Sequence, residues 1–238
     1  MPEAAQTIET LRGRLTSVLR RIEQSARGAG RAPTDVKLIA VTKTHPSDIV
    51  REALRAGLTD FGENRVQEAE DKIAQLAGSD ARWHLIGHLQ ANKARRAVKL
   101  FDVIHSVDAA ALVARLERLC AEEGRRELPV LAQVDLAGET TKSGAGVAEL
   151  AQIVAQCQNC ERVRLVGLMT LPPFFADAEQ VRPYFRRLRE LRDEWQAGGA
   201  FGEREGELSM GMTHDFEVAI AEGATMVRVG TALFGARG

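Results

Sequence analysis

Lys43 closes a short apolar run, Val36 to Val41, that is rich in β-branched residues and bounded by Pro33 and Pro46. A run of this length suits a strand buried on both faces. A lysine at the carboxyl end of such a strand stands where α/β proteins place their chemistry. Partly withdrawn from water, its amine becomes a nucleophile able to form a Schiff base with a carbonyl. For this stretch alone, a solvated lysine opening a loop is the plainer alternative. Near the other end of the chain, Ser209 to Thr213 reads Ser-Met-Gly-Met-Thr. It offers a hydroxyl at Ser209, and at Gly211 a glycine that lets backbone N–H groups approach a ligand, with Met210 between them. Gly230 and Thr231 open a last short segment whose N–H groups favour an anion. Arg228 stands just before them; a guanidinium donates hydrogen bonds and cannot accept a proton.

These residues need elements to position them. Ile8, Leu11, Leu15, Val18, Leu19 and Ile22 recur at helical spacing and predict a helix over about 4–27, stopped by Gly28 and Gly30. Strands are predicted at 36–41, 59–62, 82–86, 103–106, 129–134, 163–169, 207–210 and 226–229, with helical patterns between them. Ser47 and Asp108 read as helix N-caps. Eight strands alternating with helices imply a parallel sheet, and their number fits an α/β fold closed as a (β/α)8 TIM barrel near its lower size limit. An open doubly wound sheet usually carries a glycine fingerprint after its first strand, and none is present. The expectation is a single domain over 1–238, with a barrel over about 36–235 and an extra N-terminal helix outside it.

In a barrel, the segments after each strand meet at one rim. Here they bring Lys43, Glu63 with Asn64, His84 with Gly87 and His88, His105 with Ser106, Asp135, Met169 with Thr170, Ser209 to Met212, and Arg228 to Thr231 to that rim. The loops after strands seven and eight frequently form a phosphate site. An amine on strand one then faces a phosphate cup across one seam of the barrel. A phosphorylated aldehyde fills such a gap, and pyridoxal 5′-phosphate has both groups. An arginine against its ring would keep the pyridine nitrogen unprotonated and weaken the electron sink on which most pyridoxal catalysis depends.

At this point a family resemblance emerges. Ala40 to Thr44, Phe61 to Glu68, Trp83 to Lys93, Gly167 to Leu171, Leu208 to Met212 and Val227 to Gly235 carry motifs that resemble the pyridoxal phosphate homeostasis protein family, itself related in fold to the barrel domain of alanine racemase. The resemblance spans nearly the whole chain. It implies a barrel holding pyridoxal 5′-phosphate on Lys43. Asn64, His84, Ser209, Met210, Gly211, Arg228, Gly230 and Thr231 would lie around the cofactor. The implied role is buffering and delivery of the cofactor, with apo pyridoxal-phosphate enzymes as candidate recipients and no catalytic residue. Four positions depart from the family pattern: Thr42 and Thr213 stand where serine is usual, Arg65 where tyrosine is usual, and Asp135 where asparagine is usual; Glu139 and Lys142 match it. Arg65 and His214 bear on the electrostatics of the rim and on its partner surfaces.

Composition narrows the alternatives. Lys plus Arg number 32 and Asp plus Glu 33, giving a net charge of −1, which argues against a general nucleic-acid binder. No apolar stretch approaches the ~20 residues needed to span a bilayer, and no secretory signal precedes the first helix. Three cysteines without a disulfide framework point to a reducing, cytoplasmic setting. Cys157 and Cys160 form a Cys-x-x-Cys where a helix ends, not where one begins, so neither a redox motif nor a zinc site is expected. A pyridoxal racemase or decarboxylase is the main competing reading. Racemisation needs a second base, and the single tyrosine, Tyr184, lies after strand six, while the chain stops just after strand eight. An aldolase-like barrel using Lys43 on a carbonyl is a third reading. A monomer is expected.

Overall fold

The computed structural model describes residues 2–138 and 143–235, and for residues 2–9 the backbone only. Eight strands form a closed barrel in chain order, every neighbouring pair parallel. They are β1 (Lys37–Val41), β2 (Asp60–Glu63), β3 (Arg82–Leu85), β4 (Val103–Val107), β5 (Leu128–Gln133), β6 (Val163–Met169), β7 (Glu207–Met212) and β8 (Met226–Val229). Around them run α2 (Ser47–Arg55), α3 (Val66–Gln75), α4 (Ala94–Leu100), α5 (Ala110–Glu122), α6 (Val147–Gln158), α7 (Arg182–Ala197), α8 (Phe216–Ala221) and α9 (Thr231–Phe234). The leading helix, α1 (Pro2–Gly28), packs outside the barrel against α8 and α9. This is the (β/α)8 barrel expected from the alternation of strands and helices.

Side chains in a strand alternate between faces, and here that alternation sorts apolar from polar residues. Leu38, Ala40, Phe61, Trp83, Leu85, Ile104, Leu208, Met210, Val227 and Val229 point outward into the large core shared with the helices. The inward positions hold a smaller apolar cluster of Val103, Leu131 and Met169, together with polar side chains. His84, His105, Ser209 and Arg228 are all buried and hydrogen-bonded to one another there. A buried polar group without a partner is costly, so such a set persists only when its members satisfy each other.

Three local expectations are corrected. Pro46, not Ser47, occupies the N-cap of α2, and the Ser47 hydroxyl donates instead to Gln75 Oε1 at 2.6 Å. Ala109, not Asp108, occupies the N-cap of α5; Asp108 is drawn toward His88, with its Oδ2 3.2 Å from the ring Nδ1. Leu19 belongs to the helical repeat of α1 but is 47% exposed, whereas Leu11, Leu15, Val18 and Ile22 are buried. The α1 face that docks also uses charge: Arg21 lies 4.4 Å from the centre of the Phe216 ring and 2.6 Å from Glu217. Among the described residues, no helix is long and apolar enough to cross a membrane.

Candidate functional site

A cavity of about 560 Å³ opens at the carboxyl-terminal face of the barrel, a size that suits a small ligand. Its position follows from strand periodicity. Inward residues are spaced two apart, so each strand contributes successive layers. On β1 the inward series runs Ile39 then Val41, and Lys43 follows two residues on, in the turn after the strand; Val41 and Lys43 line the cavity. On β3 His84 points inward, and Ile86 follows just past the strand end; of the two only Ile86 lines the cavity, and His84 lies one layer below. Gln133 ends β5 and Arg228 lies on β8, and both contribute to the lining.

Lys43 is the one lysine among the described residues that lines this cavity. The backbone on either side of it is held from α3. Lys72 Nζ donates to Thr42 O at 2.7 Å, to Glu63 Oε1 at 2.7 Å and to Glu68 Oε1 at 3.0 Å. The Thr42 hydroxyl also donates to Glu63 Oε1, at 2.6 Å, and the Thr44 N–H donates to Glu68 Oε1. Thr44 has φ of +68°, a left-handed conformation that a β-branched residue rarely adopts, and the clamp holds it there. Burial raises the Glu63 carboxyl above its ordinary range despite the hydrogen bonds from Lys72 and Thr42, and its Oε2 is buried with no partner. Lys72 is thus committed to structure, which leaves Lys43, among the described residues, as the amine facing the cavity.

Arg228 is 3% exposed, yet it reaches the cavity wall. Its Nη1 donates to Ser209 Oγ at 2.6 Å and its Nη2 to Thr170 O at 2.9 Å. Burial lowers its pKa to about 10, with Asp215 opposing, so it stays charged at neutral pH. The adjoining wall is formed by Met212, Thr213, His214, Gly230 and Thr231. Asp215 Oδ1 accepts the Met212 N–H at 2.6 Å and closes the turn that presents Thr213. The Ala232 N–H points at Thr213 Oγ1 across 3.4 Å, which brings the loops after β7 and β8 side by side.

Of the nine residues that the sequence marks for the site, Lys43, Asn64, Arg228, Gly230 and Thr231 line the cavity. The other four lie elsewhere. Met210 follows an inward residue and therefore faces out, into the helix-packed core. Gly211 has φ of +90°, and a Cβ there would lie 2.6 Å from the Ala219 Cβ, so it serves the close approach of α8. Ser209 and His84 point into the barrel but one layer too deep to line the cavity. Val41, Ile86, Gln133, Ser143 and Leu171 are further lining residues that a search for chemical groups passes over. The period-two rule, counted back from Lys43 and along β3 and β5, reaches the first three. Glu139 and Lys142 lie outside the described residues.

The remaining signals resolve plainly. Cys120, Cys157 and Cys160 are free and buried. Burial pushes the Cys157 thiol up to about 12 and the Cys160 thiol up to about 11, so both stay protonated and unreactive at neutral pH. No cluster of metal-binding side chains occurs among the described residues.

Residues 15–238 match the family described as alanine racemase, N-terminal domain. The pyridoxal phosphate homeostasis protein of Aquifex aeolicus is 43% identical over 224 residues, covering 94% of this chain and 97% of its own. Its counterpart in Escherichia coli is 39% identical over 229 residues, covering 94% and 95%. Among solved structures, PipY of Synechococcus elongatus with PLP bound superposes with a TM-score of 0.82 at 41% identity, covering 94% of this chain and all of that one, 100%. An alanine racemase of Clostridium difficile shares the fold alone, with a TM-score of 0.70 at 16% identity over 96% of this chain and 57% of that one.

Proposed function

The chain belongs to the pyridoxal phosphate homeostasis protein family, and from that premise we propose that it holds pyridoxal 5′-phosphate as a Schiff base on Lys43 and serves as an intracellular store and donor of the cofactor. The carrying observation is one cavity lined by a lysine, a buried arginine and a threonine-glycine wall, with apolar residues between them. That set fits the group's aldehyde, ring and phosphate. When bound, the group supplies a carbonyl that links reversibly to an amine.

The protein's own residues do the rest. Lys43 offers the amine from a clamped backbone. Arg228 donates toward the ring. Thr213, Gly230 and Thr231 offer hydroxyl and backbone N–H groups to the phosphate, and Asn64 closes the side next to Lys43. Val41, Ile86 and Leu171 shield the ring from water. Ser209 and His84 act from the layer beneath, while Met210 and Gly211 shape the turn after β7. The chain works as one domain and a monomer in the cytoplasm, and apo pyridoxal-phosphate enzymes are the recipients. Buried free cysteines suit that reducing compartment.

Reduction with borohydride after loading, followed by digestion and mass spectrometry, tests this reading. The expected pyridoxyl adduct is on Lys43; an adduct only on another lysine, or none, refutes it. No turnover of amino acids is expected. Tyr184 stacks on Phe175 with ring centroids 5.9 Å apart and is not among the residues lining the cavity, so no second base is offered by it. Alanine or serine incubated with high concentrations of loaded protein is therefore expected to racemise no faster than with free cofactor, as read by chiral chromatography.

A further inference from the structure

Arg228 is the upper end of a chain of side chains that crosses the barrel interior. Its Nη1 lies 2.6 Å from Ser209 Oγ. Ser209 Oγ lies 2.9 Å from His105 Nδ1. His105 Nε2 lies 2.9 Å from His84 Nδ1, and His84 Nε2 lies 2.9 Å from Asp60 Oδ1. Asp60 opens β2, so it sits at the face of the barrel opposite the cavity. Lys37 Nζ is 3.9 Å from the same oxygen, and the Thr59 hydroxyl donates to Asp60 Oδ2 at 3.0 Å. Ser209, His105 and His84 are each fully buried.

The two ends fix the direction of every bond between them. A guanidinium only donates, and a carboxylate only accepts. Arg228 donates to Ser209, so the Ser209 hydroxyl proton is available for His105 Nδ1. His105 then carries its proton on Nε2 and donates to His84 Nδ1. His84 carries its proton on Nε2 and donates to Asp60. Ser209, His105 and His84 each give one bond and take one, both imidazoles are neutral, and no ring nitrogen of the pair is left without a partner. The electrostatics agree with that assignment. Burial lowers both histidines, His105 well below the ordinary value, with the charge of Arg228 adding to it. Burial alone would raise Asp60, but its bond with His84 and the charge of Lys37 outweigh that and keep it ionised.

We propose that Asp60, His84, His105 and Ser209 are positioning residues: they form a one-directional hydrogen-bond relay that holds the Arg228 guanidinium in place as a donor to the ring of the bound aldehyde. The consequence for the ligand rests on the reading of the cavity given above; the direction of the relay does not. Asp60 is separated from Arg228 by three side chains, so any effect of changing it on the ligand must travel through them and the guanidinium. An asparagine at that position can donate as well as accept, which releases the lock on direction while preserving shape.

Nitrogen-15 NMR of the ligand-free protein near neutral pH tests the relay first. Both His84 and His105 are expected to be neutral, with Nε2 protonated and Nδ1 bare. A proton on Nδ1 of either ring, or a charged ring, overturns the relay. The variant Asp60→Asn is then expected to show partial Nδ1 protonation and to bind pyridoxal phosphate about threefold to tenfold more weakly, within the scale by which a residue that does not touch a ligand modulates its site. A folded Asp60→Asn protein with unchanged affinity overturns the positioning role. A parent protein that shows the expected tautomers but binds no pyridoxal phosphate refutes the cofactor assignment instead, and the ring measurement needs no variant to fold.

Discussion

Lys43→Ala protein, mixed with pyridoxal 5′-phosphate, is expected to develop no near-visible absorbance beyond that of the free cofactor, and borohydride is expected to fix no pyridoxyl group to it. Lys43 is the only described lysine on the cavity wall, and Lys72, a neighbour in space, is bound to Thr42, Glu63 and Glu68. Among the described residues, therefore, no second amine can replace it without breaking that clamp. The phosphate and ring contacts survive the substitution, so binding is weakened and not abolished; a drop of about 100-fold, equivalent to about 2.7 kcal/mol, is the expected size for losing the covalent link alone. Equilibrium dialysis measures it. Two controls separate this from damage to the fold. The Lys43 side chain is half-buried at the rim, so the change in melting temperature should stay within about 2 °C. Inorganic phosphate should compete for the variant as well as it does for the parent. If the variant keeps the full absorbance change, the tether lies elsewhere and the reading fails.

The sequence carries the barrel well because the signal is repeated. Each predicted strand ends in or is followed by a polar or glycine residue before a helical pattern starts, and eight repetitions outweigh an error at any single boundary. It carries the site less evenly. Lys43, Asn64, Arg228, Gly230 and Thr231 are legible because their side-chain chemistry, or their freedom from a Cβ, stands out at strand ends. Depth is not legible in the same way. His84 and Ser209 have suitable chemistry, but whether a residue lines the cavity or lies one layer beneath it depends on where each strand stops relative to its neighbours. That stagger is a property of the closed sheet. Met169 pairs with Ser209, whereas Met212 pairs with Arg228 across an irregular stretch of β7, and no local pattern specifies this offset. The buried clamp of Glu63, Lys72 and Thr42 is hidden for a related reason. Its members are 9 to 30 residues apart in sequence, and each reads alone as an ordinary surface or strand residue. His105 shows the general point most sharply. In sequence it reads as a rim residue, and in the barrel it is the midpoint of an interior chain.

Gly87→Ala is expected to be the most damaging single-methyl substitution at the site, although it alters no group that touches a ligand chemically. A Cβ at Gly87 would lie 2.2 Å from Asn64 O, 2.8 Å from its Cα and 2.9 Å from its carbonyl carbon. All three are backbone atoms, so no rotamer change relieves the contact. Nor can either segment move freely. The Ile86 N–H donates to Glu63 O at 2.9 Å, and the Ser106 hydroxyl donates to Gly87 O at 2.7 Å, pinning the ends of β2, β3 and β4 together. Relief must break one of these bonds or push the Asn64 backbone toward Lys43. Overpacking that forces backbone shifts costs about 1–3 kcal/mol, and rigid backbone on both sides places this case at about 3 kcal/mol. Denaturant unfolding should show that loss at an unchanged slope, because the surface exposed on unfolding stays the same. Asn64 and Gly87 both line the cavity, so the displaced backbone should also weaken pyridoxal phosphate binding by about tenfold or more, since each 1.4 kcal/mol of lost contact is tenfold. Gly13→Ala provides the contrast. Gly13 lies within α1 with nothing inside 4 Å of an added Cβ, and the same methyl there should stabilise the protein, by about 0.5–1 kcal/mol through helix propensity. If Gly87→Ala unfolds at the parent midpoint and binds the ligand normally, the close approach of the β2 and β3 loops is not what shapes this cavity.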